Sequence, residues 1–319
     1  MTSITARWAY LAVFVGVCGH ASSEFFAVIT GVTGPEVSVW RYLIGGAGLV
    51  AWALARPESR DLITPLREEG WRLVALSLVG VSLAYLAFHL ALDYATVSQV
   101  ATFVPTLPIW VGLINRWLTG APFTLVKVIT GIMALVGIAL LITDGYLSAL
   151  AGKPGELFGI LLVLCCAALG SAYAVLIKPV VARHGALRIT AVSMMTGGIG
   201  LWLLVGVAFG VWVDPTTIFA RAPSEASLWV NPGWWLLVLG LWNTTITQLL
   251  WFGGLSAAPD ITRASYLFFL KPVIAALLAI AVLGDLPNGL QVLAILVVTG
   301  SVFVEMFWPR IQRRVQRTA

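Results

Sequence analysis

Ten apolar runs of about 20 residues, separated by short turn-forming links, leave this chain no way to fold in water. Of its 319 residues, 60% are hydrophobic and only 10% are charged, where soluble domains carry roughly 25%. A helix rises ~1.5 Å per residue and crosses the hydrocarbon layer in about 20. The runs are residues 8–29, 37–54, 71–92, 97–118, 123–142, 157–177, 187–212, 233–255, 261–283 and 291–308. Links such as Gly34-Pro35, Arg56-Pro57, Ala121-Pro122, Lys153-Pro154-Gly155, Ala258-Pro259 and Leu286-Pro287-Asn288 carry helix breakers. A membrane β-barrel would alternate polar and apolar at every second residue, and these runs do not. The prediction is an all-α integral membrane protein with ten transmembrane helices. The first run is too long for a secretory signal and is read as retained. Cys18, Cys165 and Cys166 all fall at membrane depth, which argues against a disulfide framework.

The ten runs read as five made twice. Gly45-Gly46-Ala47-Gly48-Leu49 and Gly197-Gly198-Ile199-Gly200-Leu201 lie in the second run of each half, and Ala27-Val28-Ile29 is echoed by Ala174-Val175-Leu176. Charge adds a reversal. Arg7, Arg56, Arg60, Arg67, Arg72, Arg116, Lys127, Lys178, Arg183, Arg188, Arg263 and the tail Arg310, Arg313, Arg314 and Arg317 share one face if the chain crosses ten times. The other face keeps Lys153 and Arg221 beside Glu36, Asp93, Asp144, Glu156, Asp214, Glu225 and Asp285. The basic link between runs 2 and 3 therefore corresponds to the acidic one between runs 7 and 8. An odd-numbered unit inserted twice must enter from opposite faces, and inverted repeats of this kind build transporters around a central cavity. Residues 1–150 and 151–319 are expected to be the two repeats. The positive-inside rule predicts cytoplasmic N- and C-termini in a cell membrane. Basic residues distributed this way report topology, and nucleic acid is excluded as a partner.

Local motifs agree with a known group. Pro35 before Trp40-Arg41-Tyr42-Leu43, the run Leu270-Lys271-Pro272-Val273, then Leu283-Gly284-Asp285-Leu286, and Gly300 in the last run resemble the drug/metabolite transporter superfamily, specifically its EamA branch. In the first half, Pro105 and Pro108 compete for the place of Pro272, and Thr119-Gly120-Ala121 replaces the Gly-acidic turn. The resemblance implies a ten-helix fold and a carrier function. Within the group, the aromatic-rich chain is most similar to YddG-type exporters of aromatic amino acids and related compounds.

Ionisable side chains at membrane depth are costly and usually face a cavity or a partner. His20 and Glu24 share a helix face one turn apart, and Lys271 lies near the midplane of the ninth run. The eighth run carries Asn243, Thr244, Thr245, Thr247 and Gln248. Arg41 reaches a depth like that of Glu24, so a Glu24–Arg41 ion pair is one expectation. The alternative gives Glu24 to the cavity, where it could carry a proton. Lys271 would either anchor a carboxylate or donate to carbonyls freed by Pro272. Tyr85 shares a face with His89, and Phe103 and Tyr266 sit on the runs with mid-span prolines. The candidate substrate-binding set is His20, Glu24, Tyr85, His89, Phe103, Asn243, Gln248, Tyr266 and Lys271. The glycines of runs 2 and 7 are read as packing positions.

The expected function is secondary transport of small organic solutes, most concretely export of amino acids with an aromatic or apolar bias. Alternatives are a proton-coupled drug exporter or another metabolite carrier. Lys271 would meet the carboxylate, Glu24 or Asn243 the amine, and Tyr85, Phe103 and Tyr266 the side chain. No phosphate-binding Gly-x-x-x-x-Gly-Lys-Ser/Thr loop occurs. A membrane-embedded enzyme is the rival class. The chain has three histidines, no Gly-x-Ser-Gly nucleophile and no metal-ligand cluster, so neither an enzyme nor any cofactor or metal is expected.

Overall fold

The computed structural model describes residues 3–150, 154–283 and 287–318. Helices form where the apolar runs predict them. In chain order they are α1 (Ser3–Ile29), α2 (Glu36–Ala55), the short α3 (Ile63–Glu69) and α4 (Trp71–Ser77), which continues through a π-helical turn at Leu78–Leu83 into α5 (Ala84–Tyr94). Then come α6 (Val97–Phe103), a 3-10 turn at Val104–Thr106, α7 (Leu107–Thr119) and α8 (Leu125–Thr143). The second half has α9 (Pro154–His184), α10 (Ala186–Phe209) and α11 (Pro232–Gly240), with a π turn at Leu241–Ile246 leading into α12 (Thr247–Ala257). It ends with α13 (Ile261–Ser265), a 3-10 turn at Tyr266–Leu270, α14 (Lys271–Leu283) and α15 (Gly289–Thr318).

Among the described residues, nine helical segments are long and apolar enough to cross a membrane. The predicted fourth span, 97–118, is instead a broken helix: α6, its 3-10 turn and α7. Pro105 and Pro108 remove two backbone donors within one turn, and the backbone tightens there. Gly210, at φ +68°, ends α10 at Phe209, short of the predicted residue 212. The Gly284–Leu286 part of the sequence motif lies outside the described residues, as do residues 151–153 at the expected boundary between halves.

The two halves carry the same irregularities in the same order. Each third helix has a six-residue π turn, and each fourth has a 3-10 turn followed by a proline in the next helical turn, Pro108 or Pro272. Counted from the end of each 3-10 turn, Pro108 and not Pro105 stands in the place of Pro272. The glycine pentapeptides explain themselves at the same place. Ser82 in the first π turn donates to the Gly197 carbonyl at 2.7 Å, and Thr245 in the second donates to the Gly45 carbonyl at 2.8 Å. A Cβ on Gly48 would meet Thr245 and Leu241, and one on Gly200 would meet Ser82 and Leu78. Gly46 and Gly198 let α2 and α10 touch backbone to backbone. Small residues with cross-helix hydroxyl bonds are what brings helices together where lipid is as apolar as leucine.

Contacts sort the links into two faces. Glu36 at the start of α2 pairs with Arg221 of the link before α11, at 2.8 Å. On the opposite face, Arg183 and His184 at the end of α9 meet Glu69 of α3, and Lys178 donates to the Ala258 carbonyl before α13. The second of these is the arginine-rich face. Arg183 holds the Glu69 carboxyl below its ordinary pKa there.

Candidate functional site

A cavity of about 350 Å³ lies between the two sets of matching helices. Gly34, Val37, Ser38 and Leu92 line it toward the face of the α1–α2 link, and Met194, Ala167 and Phe252 line it at depth. Its walls come in equivalent pairs. Counted from the start of each π turn, Tyr85 matches Gln248, Phe88 matches Trp251 and His89 matches Phe252; all six line the cavity. Counted from the end of each 3-10 turn, Leu107 matches Lys271, and both line it as well. The shape is thus repeated while the chemistry is not, which lets one end of a solute be told from the other.

Six of the nine sequence candidates reach this cavity: His20, Glu24, Tyr85, His89, Gln248 and Lys271. The other three do not line it. Asn243 sits in the second π turn, where its amide nitrogen donates to the Gly19 carbonyl and to Ser22 at 3.1 Å, tying α1 in place. Tyr266 is fully buried, with its hydroxyl donating to the Lys127 carbonyl. Phe103 lies against a small core of Ala91, Ala95, Val100 and Val163, behind Phe88. The polar run of the eighth span is explained the same way: Thr245 and Thr247 donate to backbone carbonyls, and Gln248 donates to the Tyr42 hydroxyl at 3.3 Å.

The charges arrange themselves differently from one sequence expectation. Glu24 pairs with Lys271 and not with Arg41. α14 lies beside α1 and brings the lysine across, so the ammonium does not fall to carbonyls near Pro272 either. The pair stands at the cavity wall, with side chains 59% exposed for Glu24 and 17% for Lys271. Arg41 is the residue that reasoning from sequence undervalued. It is buried to 9% exposure and lines the cavity. Its Nε donates to Thr244 Oγ1 at 3.1 Å and its Nη2 to the Asn243 carbonyl at 2.8 Å. Among the described residues no carboxylate pairs with it. Two neutral acceptors hold the guanidinium in one orientation without cancelling its charge, and they occupy only part of its five-donor fork.

Aromatic rings supply the apolar wall. His20 meets Trp251 and Phe268 edge-on, with centroids 5.6 and 5.5 Å away. Tyr42 meets Tyr85 at 4.6 Å, and Phe88 meets His89 at 5.4 Å. The Nε2 atoms of His20 and His89 and Oε1 of Gln248 are buried without a hydrogen-bond partner among the described residues. Trp251, Phe88, Phe252 and Phe268 were not among the predicted site residues. The chamber therefore offers an unneutralised fork, an acid–base pair and a ring-lined pocket, a set suited to an organic solute with a carboxylate at one end. Among the described residues no group of His, Cys, Asp and Glu is placed to hold a metal ion.

Known proteins place this architecture. The EamA-like transporter family matches the chain twice, over residues 7–143 and 157–307. An uncharacterized transporter of Archaeoglobus fulgidus is 24% identical over 273 residues, covering 84% of this chain and 86% of the relative. One of Clostridium kluyveri is 22% identical over 274 residues, covering 84% and 80%. A solved crystal structure of a protein 21% identical in sequence superposes with a TM-score of 0.77, covering 95% of this chain and 98% of the other. That likeness shows the fold. The double family match sets the chain among transporters and apart from enzymes: it belongs to the EamA-like transporter family.

Proposed function

We propose that the protein is a secondary transporter of small carboxylated organic solutes with an aromatic or apolar body, amino acids foremost. Arg41 takes the carboxylate, replacing Lys271 in that role, because Lys271 already has Glu24. An amino group would compete with Lys271 for Glu24, while Tyr85, Phe88, Trp251 and Phe268 contact the side chain. The observation that carries the reading is Arg41: a buried guanidinium with no carboxylate partner among the described residues, beside an aromatic-walled cavity. A buried charge lacking its counterion is costly, and a carboxylate ligand relieves that cost.

The fold reading behind it has four parts. The broken α6–α7 segment is the tenth crossing. The halves, divided near residue 150, are inverted repeats, in line with their matching π and 3-10 turns and their double family match. The arginine-rich face is cytoplasmic, together with both termini. The cavity mouth then faces outward, as in one state of an alternating-access exporter.

Uptake of labelled phenylalanine and tryptophan into proteoliposomes, with and without a pH gradient, tests the assignment. Both are expected to be transported, and each to compete with the other. Glu24→Gln should lower flux at least ~10-fold with the protein still folded, the loss of about one charge-assisted contact. If neither amino acid is carried nor competes with any carried solute, the amino-acid assignment is dropped. A rate that rises with a proton gradient and loses that dependence in Glu24→Gln would add protons as coupling partner.

A further inference from the structure

The second concentration of charge lies at the other end of the molecule. Lys127 at the start of α8 meets Asp260, ahead of α13, at 2.8 Å. Arg263 of α13 meets Glu305 of α15 at 3.2 Å and lies 3.9 Å from Asp260. Tyr10 of α1 faces Arg263, Asp260 and Glu305, and Tyr266 donates to the Lys127 carbonyl. Lys127 and Glu305 are buried, with side chains 6% and 1% exposed. The Lys178 bond to Ala258 places this cluster on the arginine-rich face, across the molecule from the cavity mouth.

We infer that the Lys127–Asp260–Arg263–Glu305 cluster is the lock that keeps this end shut while the cavity is open at the other, an inference that rests on the carrier reading above. Three observations support it. The charges alternate in sign and sum to zero, so burying them together leaves none uncompensated. The cluster also joins the two halves, since Lys127 belongs to the first and its three partners to the second. Finally, the matching positions of α6 in the first half do not repeat it. Asp260 and Arg263 hold the cap and third positions of α13, where Asp260 accepts the Arg263 amide. Thr96 and Gln99 hold the same positions of α6 in the first half, and they form a neutral capping box. Gln99, at the position of Arg263, donates to Glu156 at 3.0 Å.

Such a lock has two stable settings. Dry, the attractions are strong; once water enters, each charge is solvated and the attraction falls steeply with the rise in dielectric. Burial pushes the Asp260 carboxyl up, but the Lys127 bond, the Arg263 amide and the two cations outweigh it and hold the group below the ordinary carboxylate range. Asp260 therefore stays ionised through neutral pH.

Cys166 lines the cavity and is a native reporter of access. In a Cys18→Ser, Cys165→Ser background, a membrane-impermeant maleimide is applied to each face of the vesicle in turn. Labelling from the mouth side should be at least tenfold faster. Asp260→Asn and Glu305→Gln should each raise labelling from the arginine-rich face at least fivefold and slow it from the mouth. A folded variant with an unchanged ratio of rates, even with a lower melting midpoint, would mean a static scaffold and overturn the lock. Where one variant fails to fold, Lys127→Gln breaks the same cluster from the other half and is judged by the same ratio. Equal labelling from both faces in the unsubstituted background would sink the carrier reading itself, and the lock with it.

Discussion

Replacing Arg41 by glutamine should cut flux of a carboxylated substrate about 30-fold or more, because truncating one partner of a buried charge pair costs ~2–5 kcal/mol. The loss should appear as weaker binding of the carboxylate, seen as displacement of a labelled amino acid only at higher concentration. Folding should survive. Among the described residues Arg41 hydrogen-bonds to Thr244 and the Asn243 carbonyl, and glutamine can still donate to one of them. Removing an unneutralised buried charge should leave the melting midpoint level or raise it. Arg41→Lys keeps the charge but loses the planar fork, so an intermediate flux is expected. Flux unchanged in Arg41→Gln would remove Arg41 from the site and return the carboxylate to Lys271.

The second large effect is on assembly. Gly46→Ile should reduce the yield of folded, monodisperse protein severalfold. A Cβ at Gly46 would stand 2.9 Å from Met195 Cα and 3.2 Å from the Met194 carbonyl oxygen. Its counterpart Gly198 leaves 3.0 Å to the Tyr42 carbonyl oxygen. Backbone cannot rotate out of the way, so α2 and α10 must separate, and overpacking of this kind costs ~1–3 kcal/mol even where side chains can yield. Separation would also pull Ser82 from Gly197 and Thr245 from Gly45. Gly300→Ala is the control, since nothing lies within 4 Å of its would-be Cβ; its midpoint should hold or rise. Size-exclusion profiles and thermal melts of both variants decide the point. A Gly46→Ile protein as well behaved as Gly300→Ala would contradict close contact between α2 and α10.

These two residues show where sequence reasoning reaches and where it stops. Gly46 was legible as a packing position because a glycine cluster in an apolar helix has little use except close approach; that its partner is α10 came from the structure. Arg41 was visible as a charge at depth, but its partner was misjudged. Depth along a helix can be counted from sequence; the direction in which the helix turns a side chain cannot. Glu24 faces α14 and so finds Lys271, while Arg41 faces the π turn at Leu241–Ile246. The π turns themselves left no usable signal, which is why Asn243 looked like a ligand-binding residue when it braces α1. Trp251, Phe88 and Phe252 escaped for the opposite reason. An aromatic in a span full of aromatics carries no mark of the wall it lines.

Beneath every assignment lies one geometric premise: two five-helix bundles threaded through the bilayer in opposite senses, closing on a shared chamber. Single cysteines at Ser59, before α3, and Ser224, before α11, report it most directly, since these are equivalent links of the two halves. In a background without Cys18, Cys165 and Cys166, an impermeant thiol reagent should modify Ser59→Cys only from the cytoplasmic side and Ser224→Cys only from outside. Modification of both from the same side would mean parallel halves, and the account would fail with them.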